Sequence, residues 1–272
     1  MAKELYSNIL TRLPAALVIA VITFGMLYLE SFILVCIFMV GIGFLLCYEW
    51  LQLSARKVNL TQIIFFITPA LLFAYFGKGF AFYFLSLSLS FWFVYGLLLS
   101  SGSASQVSGI KFNNNYLGIF LIQALICGVV SILTFPDFGN YSSYFILFLL
   151  LLITALIDVA AYLVGSIIGK TPLFPELSPN KTLEGFFGAL ILTYLFIGLL
   201  HWLALISFKI FILLALVMPF AFAGDYFESQ LKRNQQVKDS GSLIPGHGGI
   251  WDRLDSHIAV IPVFAALCLL FI

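Results

Sequence analysis

Nine apolar runs separated by short polar stretches constrain this chain more than any other feature. They are Leu13–Leu29, Phe32–Tyr48, Leu60–Phe76, Phe80–Leu99, Tyr116–Phe135, Tyr144–Ile168, Phe186–Ile206, Phe211–Tyr226 and Ile258–Ile272. A bilayer core of ~30 Å takes ~20 apolar residues in a helix, and backbone groups in lipid must bond within their own segment. Charged residues are 9% of the 272, against about 25% in a soluble domain. The pattern predicts an all-α, polytopic integral membrane protein with about nine transmembrane helices. The first run lacks a small-residue cleavage site and passes through Glu30 and Ser31 straight into the second. It therefore reads as a retained span, not a secretory signal.

The basic residues orient these spans. With a cytoplasmic N-terminus, eleven of the 13 Lys and Arg residues fall on the cytoplasmic side, leaving Lys78 and Lys209 on the other. That asymmetry is the one expected of a membrane protein in its correct orientation. The long connections 100–115, 169–185 and 227–255 then all face the cytoplasm. Residues 1–99 form an N-terminal set of helices, and 100–115, rich in Gly, Ser and Asn, reads as a linker. Residues 116–272 form the site-bearing half.

Chemistry concentrates in Gly224–Asp255, which holds nine of the 25 Asp, Glu, Lys and Arg residues. Five acids (Asp225, Glu228, Asp239, Asp252, Asp255) alternate with four bases (Lys232, Arg233, Lys238, Arg253). Carboxylates hold hard divalent cations, and Lys and Arg hold phosphate oxygens. A solvated loop needs charge but not this mixture, which describes a site for a metal-bound polyphosphate at the membrane face. Asp252 and Asp255 also suit a helix N-terminus on electrostatic grounds alone, and Lys232 and Arg233 also suit headgroup-level anchors. Asp225 follows Pro219, a position for a bend. Upstream, Asp158 sits in an apolar run, where an ionisable group is costly and points to function or to a bond between helices. The segment Pro172–Gly185 offers Ser178, Asn180, Lys181, Thr182 and Glu184; its three prolines predict an irregular backbone, with Ser178 or Thr182 capping the next helix. His247 lies between Gly246 and Gly248, where a backbone can approach a ligand closely. Cys36, Cys47, Cys127 and Cys268 lie in apolar runs without metal-site spacing and read as small buried hydrophobes. No basic stripe with interleaved aromatics points to nucleic acid.

The run Ser229-x-Leu231-Lys232-Arg233, then Lys238-Asp239-x-Gly241, then Ile244-Pro245-x-His247-Gly248-Gly249-Ile250-x-Asp252-Arg253-Leu254-Asp255 resembles the hallmark of the phosphatidate cytidylyltransferases. The upstream Asp158-x-x-Ala161-Tyr162-x-x-Gly165 and Ser178-Pro179-x-Lys181-Thr182-x-Glu184-Gly185 resemble that family too. The likeness covers roughly the C-terminal hundred residues; the N-terminal half is similar only in being apolar. The resemblance implies that CTP and phosphatidic acid react to CDP-diacylglycerol and pyrophosphate in a magnesium-dependent, helical membrane enzyme that forms a homodimer. Its expected location is a bacterial inner (plasma) membrane, with the site facing the cytoplasm.

The residues fit that chemistry. A lipid phosphate is already an anionic nucleophile, so catalysis is positioning and charge stabilisation, with two cations as the usual clamp. Asp225, Asp252 and Asp255 are the expected Mg²⁺ ligands, and Lys232 and Arg233 join Asp225 and Asp252 as expected catalytic residues. Ser178, Lys181, Lys238, Asp239, His247 and Arg253 are the expected substrate-binding set. Two other classes stay open at this point. A transporter would place its ionisable groups at the midplane. Another membrane transferase, such as a CTP-dependent lipid kinase, would share the substrates; the D-G-x2-A-R pattern of CDP-alcohol phosphotransferases is absent.

Overall fold

The structure, a computed structural model, describes residues 18, 20–54, 59–101, 114–175, 177–237, 239–241, 243 and 248–272. Residues 20–28 are helical. They are followed by α1 (Phe32–Ser54), α2 (Leu60–Phe76), α3 (Lys78–Ser100), α4 (Asn115–Thr134) and α5 (Ser143–Ile168). A hairpin of β1 (Pro172–Phe174) and β2 (Ser178–Thr182) leads to α6 (Leu183–Trp202) and α7 (Phe208–Asn234). The chain closes with α8 (Trp251–Leu254) and α9 (His257–Phe271). Among the described residues six helices, α1 and α3 to α7, are long and apolar enough to cross a membrane, and α2 and α9 are shorter apolar helices. The protein is thus a helical, polytopic integral membrane protein.

The all-α expectation holds, and within it a short hairpin replaces the irregular stretch expected over 172–185. The two strands pair antiparallel, Pro172 with Thr182 and Phe174 with Ser178, with an irregularity between. Prolines do not prevent this, because in a two-stranded sheet both strands are edges, where a missing N–H is tolerated. Helix α7 is also longer than its apolar run. It continues through Pro219 for 27 residues, about 40 Å at ~1.5 Å per residue, so its last turns reach past a ~30 Å hydrocarbon core.

Helix starts follow local polar chemistry. Asn59 and Gln62 form a reciprocal cap on α2, with Gln62 N–H donating to Asn59 Oδ1 at 2.9 Å and Asn59 N–H to Gln62 Oε1 at 3.1 Å. Such paired caps satisfy two otherwise orphaned donors. Asn114, Ser142, Thr182 and Ser207 cap α4, α5, α6 and α7 through their side chains. Thr182 is therefore the cap in this arc, and Ser178 begins β2.

Helix α9 forms the axis of the bundle. It packs against α3, α4, α5 and α7, and Ile258 through Ala266 are all buried. A helix apolar all round belongs in a protein interior or in lipid, and here protein surrounds it. Its 15 residues span about 22 Å at ~1.5 Å each. Shielded from lipid, it can begin with a polar turn, Asp255-Ser256, without that turn reaching headgroup level. Outer helices carry apolar side chains on their outward faces, among them Tyr75, Ile167 and Trp202, all largely exposed. This is the arrangement expected of a surface bathed by lipid.

Polar contacts separate the two ends of the bundle. At one, the Ser142 hydroxyl donates to Glu30 at 2.6 Å, tying the start of α5 to the turn before α1. At the other, Tyr95 near the end of α3 donates to Gln230 near the end of α7 at 3.0 Å, with both side chains buried. Helices α1 and α4 touch where Gly118 faces Trp50; a Cβ at Gly118 would stand 2.2 Å from the indole. Trp50 is itself pressed against Trp251, with ring centroids 5.2 Å apart. Gly118→Ala is expected to destabilise the bundle by ~1–3 kcal/mol through overpacking. Thermal unfolding in detergent reads this as a lower midpoint, and an unchanged midpoint would contradict the α1–α4 contact.

Candidate active site

The polar end is assembled from four places in the chain: the C-terminal part of α5, the hairpin, the end of α7, and α8 with the turn before α9. Together they line a cavity of about 620 Å³. Asp158, Ser178, Lys181, Asp225, Asp252, Arg253 and Asp255 all face it. Ser166, Asn180 and Thr182 also line it, and one flank is apolar, with Tyr162, Phe186 and Phe222; the Phe186 and Phe222 rings meet tilted with centroids 4.4 Å apart, and Tyr162 is largely exposed. One cavity thus joins a charged floor to an apolar flank.

Close packing explains how α7 delivers Asp225. A Cβ at Gly224 would lie 2.2 Å from the Asp255 carbonyl oxygen. The absence of a side chain there lets α7 lie directly against the turn before α9, which sets Asp225 beside Asp255. Lys181 comes from β2 to pair with Asp225 and lies over the Tyr226 ring, 4.6 Å from its centroid. Ser256 joins the acids, its hydroxyl donating to Asp158 Oδ1 at 3.1 Å and its N–H to Asp255 Oδ1 at 2.8 Å. Burial pushes the Asp255 carboxyl well above the usual range, and the charges of Asp225 and Asp158 push it further. Three acids in mutual repulsion around one ammonium make a floor that attracts cations.

Asp252 is bonded differently. Its Oδ1 accepts from Lys232 Nζ at 2.7 Å. Its Oδ2 accepts from Ser240 N–H at 2.9 Å, the Ser240 hydroxyl at 2.9 Å and Gly249 N–H at 2.8 Å. Burial alone would raise this carboxyl, but the neighbouring Glu228 side chain and the hydrogen bonds from Lys232 and Gly249 outweigh it and hold it down to about 2. Gly248, at φ +84° in the left-handed region that favours glycine, turns the loop over this carboxylate. Asp252 therefore ties Ser240 and Gly249 together as well as facing the cavity.

Lys232 and Arg233 lie elsewhere. Lys232 sits between Asp252 and the buried Glu228, 2.5 Å from the latter. Arg233 Nε donates to the Leu177 carbonyl at 3.2 Å, joining α7 to the hairpin. Neither lines the cavity. Both are placed by what they hold within the protein, a role beyond the anchoring or phosphate binding that residue type alone suggests. Asp239 is exposed in the loop near Gly248. Lys238 and His247 lie outside the described residues. Glu184 turns back on the chain entering the hairpin, accepting Thr171 Oγ1 at 2.9 Å and the N–H groups of Lys170 and Thr171 at 3.1 Å each.

Sequence reasoning missed Glu49. It closes an apolar run and is fully buried, yet its oxygens accept the N–H of Ile250 at 2.8 Å and of Trp251 at 3.0 Å. Trp251 Nε1 in turn donates to the Leu46 carbonyl at 2.8 Å. A lone acid at the end of an otherwise apolar span was the available signal.

Residues 10–271 match the model of the family described as the cytidylyltransferase family. Over 117 residues the chain is 43% identical to the phosphatidate cytidylyltransferase of Bacillus subtilis (strain 168), covering 42% of this chain and 44% of that protein. The protein of the same name from Staphylococcus epidermidis is 42% identical over 119 residues, covering 43% and 46% respectively. That from Staphylococcus aureus (strain COL) is 44% identical over 124 residues, with the same coverage. The chain spans a little under half the length of these curated relatives. The family match runs further, through the N-terminal helices that the quoted motifs do not reach, and the chain belongs to the cytidylyltransferase family.

Proposed function

We propose that this protein transfers the cytidylyl group of CTP to phosphatidate, forming CDP-diacylglycerol and pyrophosphate for phospholipid synthesis. The observation that carries the reading is the cavity in which Lys181, Arg253 and a cluster of acids meet an apolar flank of Tyr162, Phe186 and Phe222. A lipid headgroup and a nucleoside triphosphate call for that combination. The names of the relatives point to the same substrates.

In the reaction, a phosphate oxygen of phosphatidate attacks the α-phosphorus of CTP. The new oxygen–phosphorus bond forms as the bond from that phosphorus to the oxygen bridging toward the β-phosphorus breaks, and the electron pair leaves with pyrophosphate. No protein nucleophile is needed. Lys181 and Arg253 offset the charge of two approaching polyanions, and charge-assisted hydrogen bonds of this kind are the stronger class. Asp252 holds its loop, and with it Arg253, at the cavity wall.

Mg²⁺ fits the donor set. Asp158, Asp225 and Asp255 are hard oxygen donors facing one cavity. Among the described residues no three acid, His or Cys side chains converge closely enough to hold an ion as packed. Asp225 and Asp255 would hold one cation in place of the Lys181 contact, and Asp252 would join a second by exchanging Lys232. Bound there, such ions would neutralise the leaving pyrophosphate.

The same reading gives nine spans, a cytoplasmic N-terminus and a site open to the cytoplasm of a bacterial inner membrane. It is supported by Lys209 and Lys232-Arg233 standing at opposite ends of α7, and by Lys181 and Arg253 meeting at the same end as Lys232. The half comprising 116–272 carries the cavity, with 1–99 as scaffold and 100–115 as linker; Glu49 is the scaffold's contact with the active-site loop. A homodimer enters through the family resemblance alone.

Two experiments test these points. Purified protein given CTP, phosphatidate and Mg²⁺ is expected to release pyrophosphate and form CDP-diacylglycerol. Asp225→Asn is expected to lower turnover ~30- to 1000-fold, by weakening a metal ligand in a site where electrostatic stabilisation is worth roughly 2–4 kcal/mol. Near-normal turnover in that variant would remove Asp225 from the site. For sidedness, Lys170→Cys and Lys209→Cys are placed one at a time in a background without the four native cysteines. Both positions are exposed, and an impermeant thiol reagent is expected to reach them from opposite faces of sealed vesicles. Labelling from one face would overturn the topology.

A further inference from the structure

Glu49 lies far from the hallmark segment in sequence, in helix α1, and no side chain of that helix lines the cavity. It is nonetheless fully buried, with its carboxylate enclosed by the loop that carries Asp252 and Arg253. Two consecutive N–H groups, those of Ile250 and Trp251, point at its oxygens from 2.8 and 3.0 Å. The Ser240 hydroxyl lies between Asp252 Oδ2 at 2.9 Å and Glu49 Oε2 at 3.4 Å, its one proton shared by the two carboxylates. On two further sides the backbone is so close that a Cβ at Gly241 or Gly249 would stand 2.7 or 2.6 Å from its oxygens. An acid in a membrane helix is expensive to bury, and one enclosed by donors of a distant loop is held there by that loop.

We infer that Glu49 is a positioning residue: it anchors the start of α8, and through it sets Asp252 and Arg253 at the cavity wall. The inference rests on the cytidylyltransferase reading of that cavity. Its physical content is that both carboxylate oxygens act as acceptors toward successive amides. Glutamine offers one oxygen and one NH₂ group, so Glu49→Gln turns the NH₂ toward a backbone donor. The side-chain volume is unchanged, and the α1 packing stays filled.

Glu49→Gln is expected to raise KM for CTP and to lower kcat/KM by ~10- to 100-fold, the scale of one or two charge-assisted hydrogen bonds. Amide hydrogen exchange is expected to quicken in 248–256 and to stay unchanged in α4. A residue serving general stability alone would reduce the fraction of active enzyme, which scales kcat and leaves KM as it was. Ile250→Pro removes the donor instead of the acceptor. Ile250 already has φ −72°, a value proline adopts, so this variant tests the contact without altering the membrane helix. It is expected to shift KM in the same direction, and the double variant to lose less than the two single effects combined. Wild-type KM in Ile250→Pro would overturn the inference, whatever happens to Glu49→Gln. Wild-type enzyme without cytidylyl transfer would instead overturn the functional reading, and the exchange measurement would still test the anchor.

Discussion

Asp252 accepts four hydrogen bonds on its two oxygens, from Lys232, from Ser240 twice and from Gly249. The polar end of the bundle depends on them. Lys232 belongs to α7, Ser240 to the loop, and Gly249 to the approach to α8, so one carboxylate fixes three parts of the chain to each other. Ser240 passes the link on to Glu49 in α1. Charge inside a protein is tolerable when it is paired and its remaining lone pairs are satisfied. Removing any one partner leaves the others with unmet charge or unmet donors.

Apolar helices alone would not produce this arrangement. Packing between helices in lipid is driven by close contact and by polar bonds, because lipid is as apolar as leucine. Helix α9 supplies the contact, packed by α3, α4, α5 and α7. Gly224 then admits the turn at Asp255 against α7, which no larger residue would allow. Close backbone approach thus does for the acids what the hydrogen bonds do for the loop. Asp225 and Asp255 are neighbours because a helix could come close, while Asp252 stands apart because its bonds hold it.

The spans and the hallmark segment were legible in the sequence for a plain reason: hydropathy over ~20 residues, and acids mixed with bases, are local signals. Helices α1 to α7 and α9 sit on the apolar runs from Phe32 onward, and Asp158, Lys181, Asp225, Arg253 and Asp255 meet in one cavity. What sequence could not show were pairings across the chain. Lys232 and Arg233 look like phosphate ligands by type and position, but Lys232 faces two acids and Arg233 a hairpin carbonyl. Each of those partners is set by tertiary packing. Glu49 was missed for the same reason, since its donors lie some two hundred residues away. The hairpin at 172–182 escaped because a proline count argues against strands in general but not against edges.

The division of labour among the basic residues follows from where their charge is already spent. Lys232 is matched by Glu228 and Asp252, so drawing it toward a substrate phosphate would leave two acids facing each other in a buried place. Lys181 faces Asp225 in the open cavity, over the ring of Tyr226. Its partner is one of the acids best placed to bind a cation, and a cation arriving at Asp225 would release the ammonium toward an incoming phosphate. On this view the ion pair with Asp225 holds Lys181 close to where it acts, and Lys232 stays matched by Glu228.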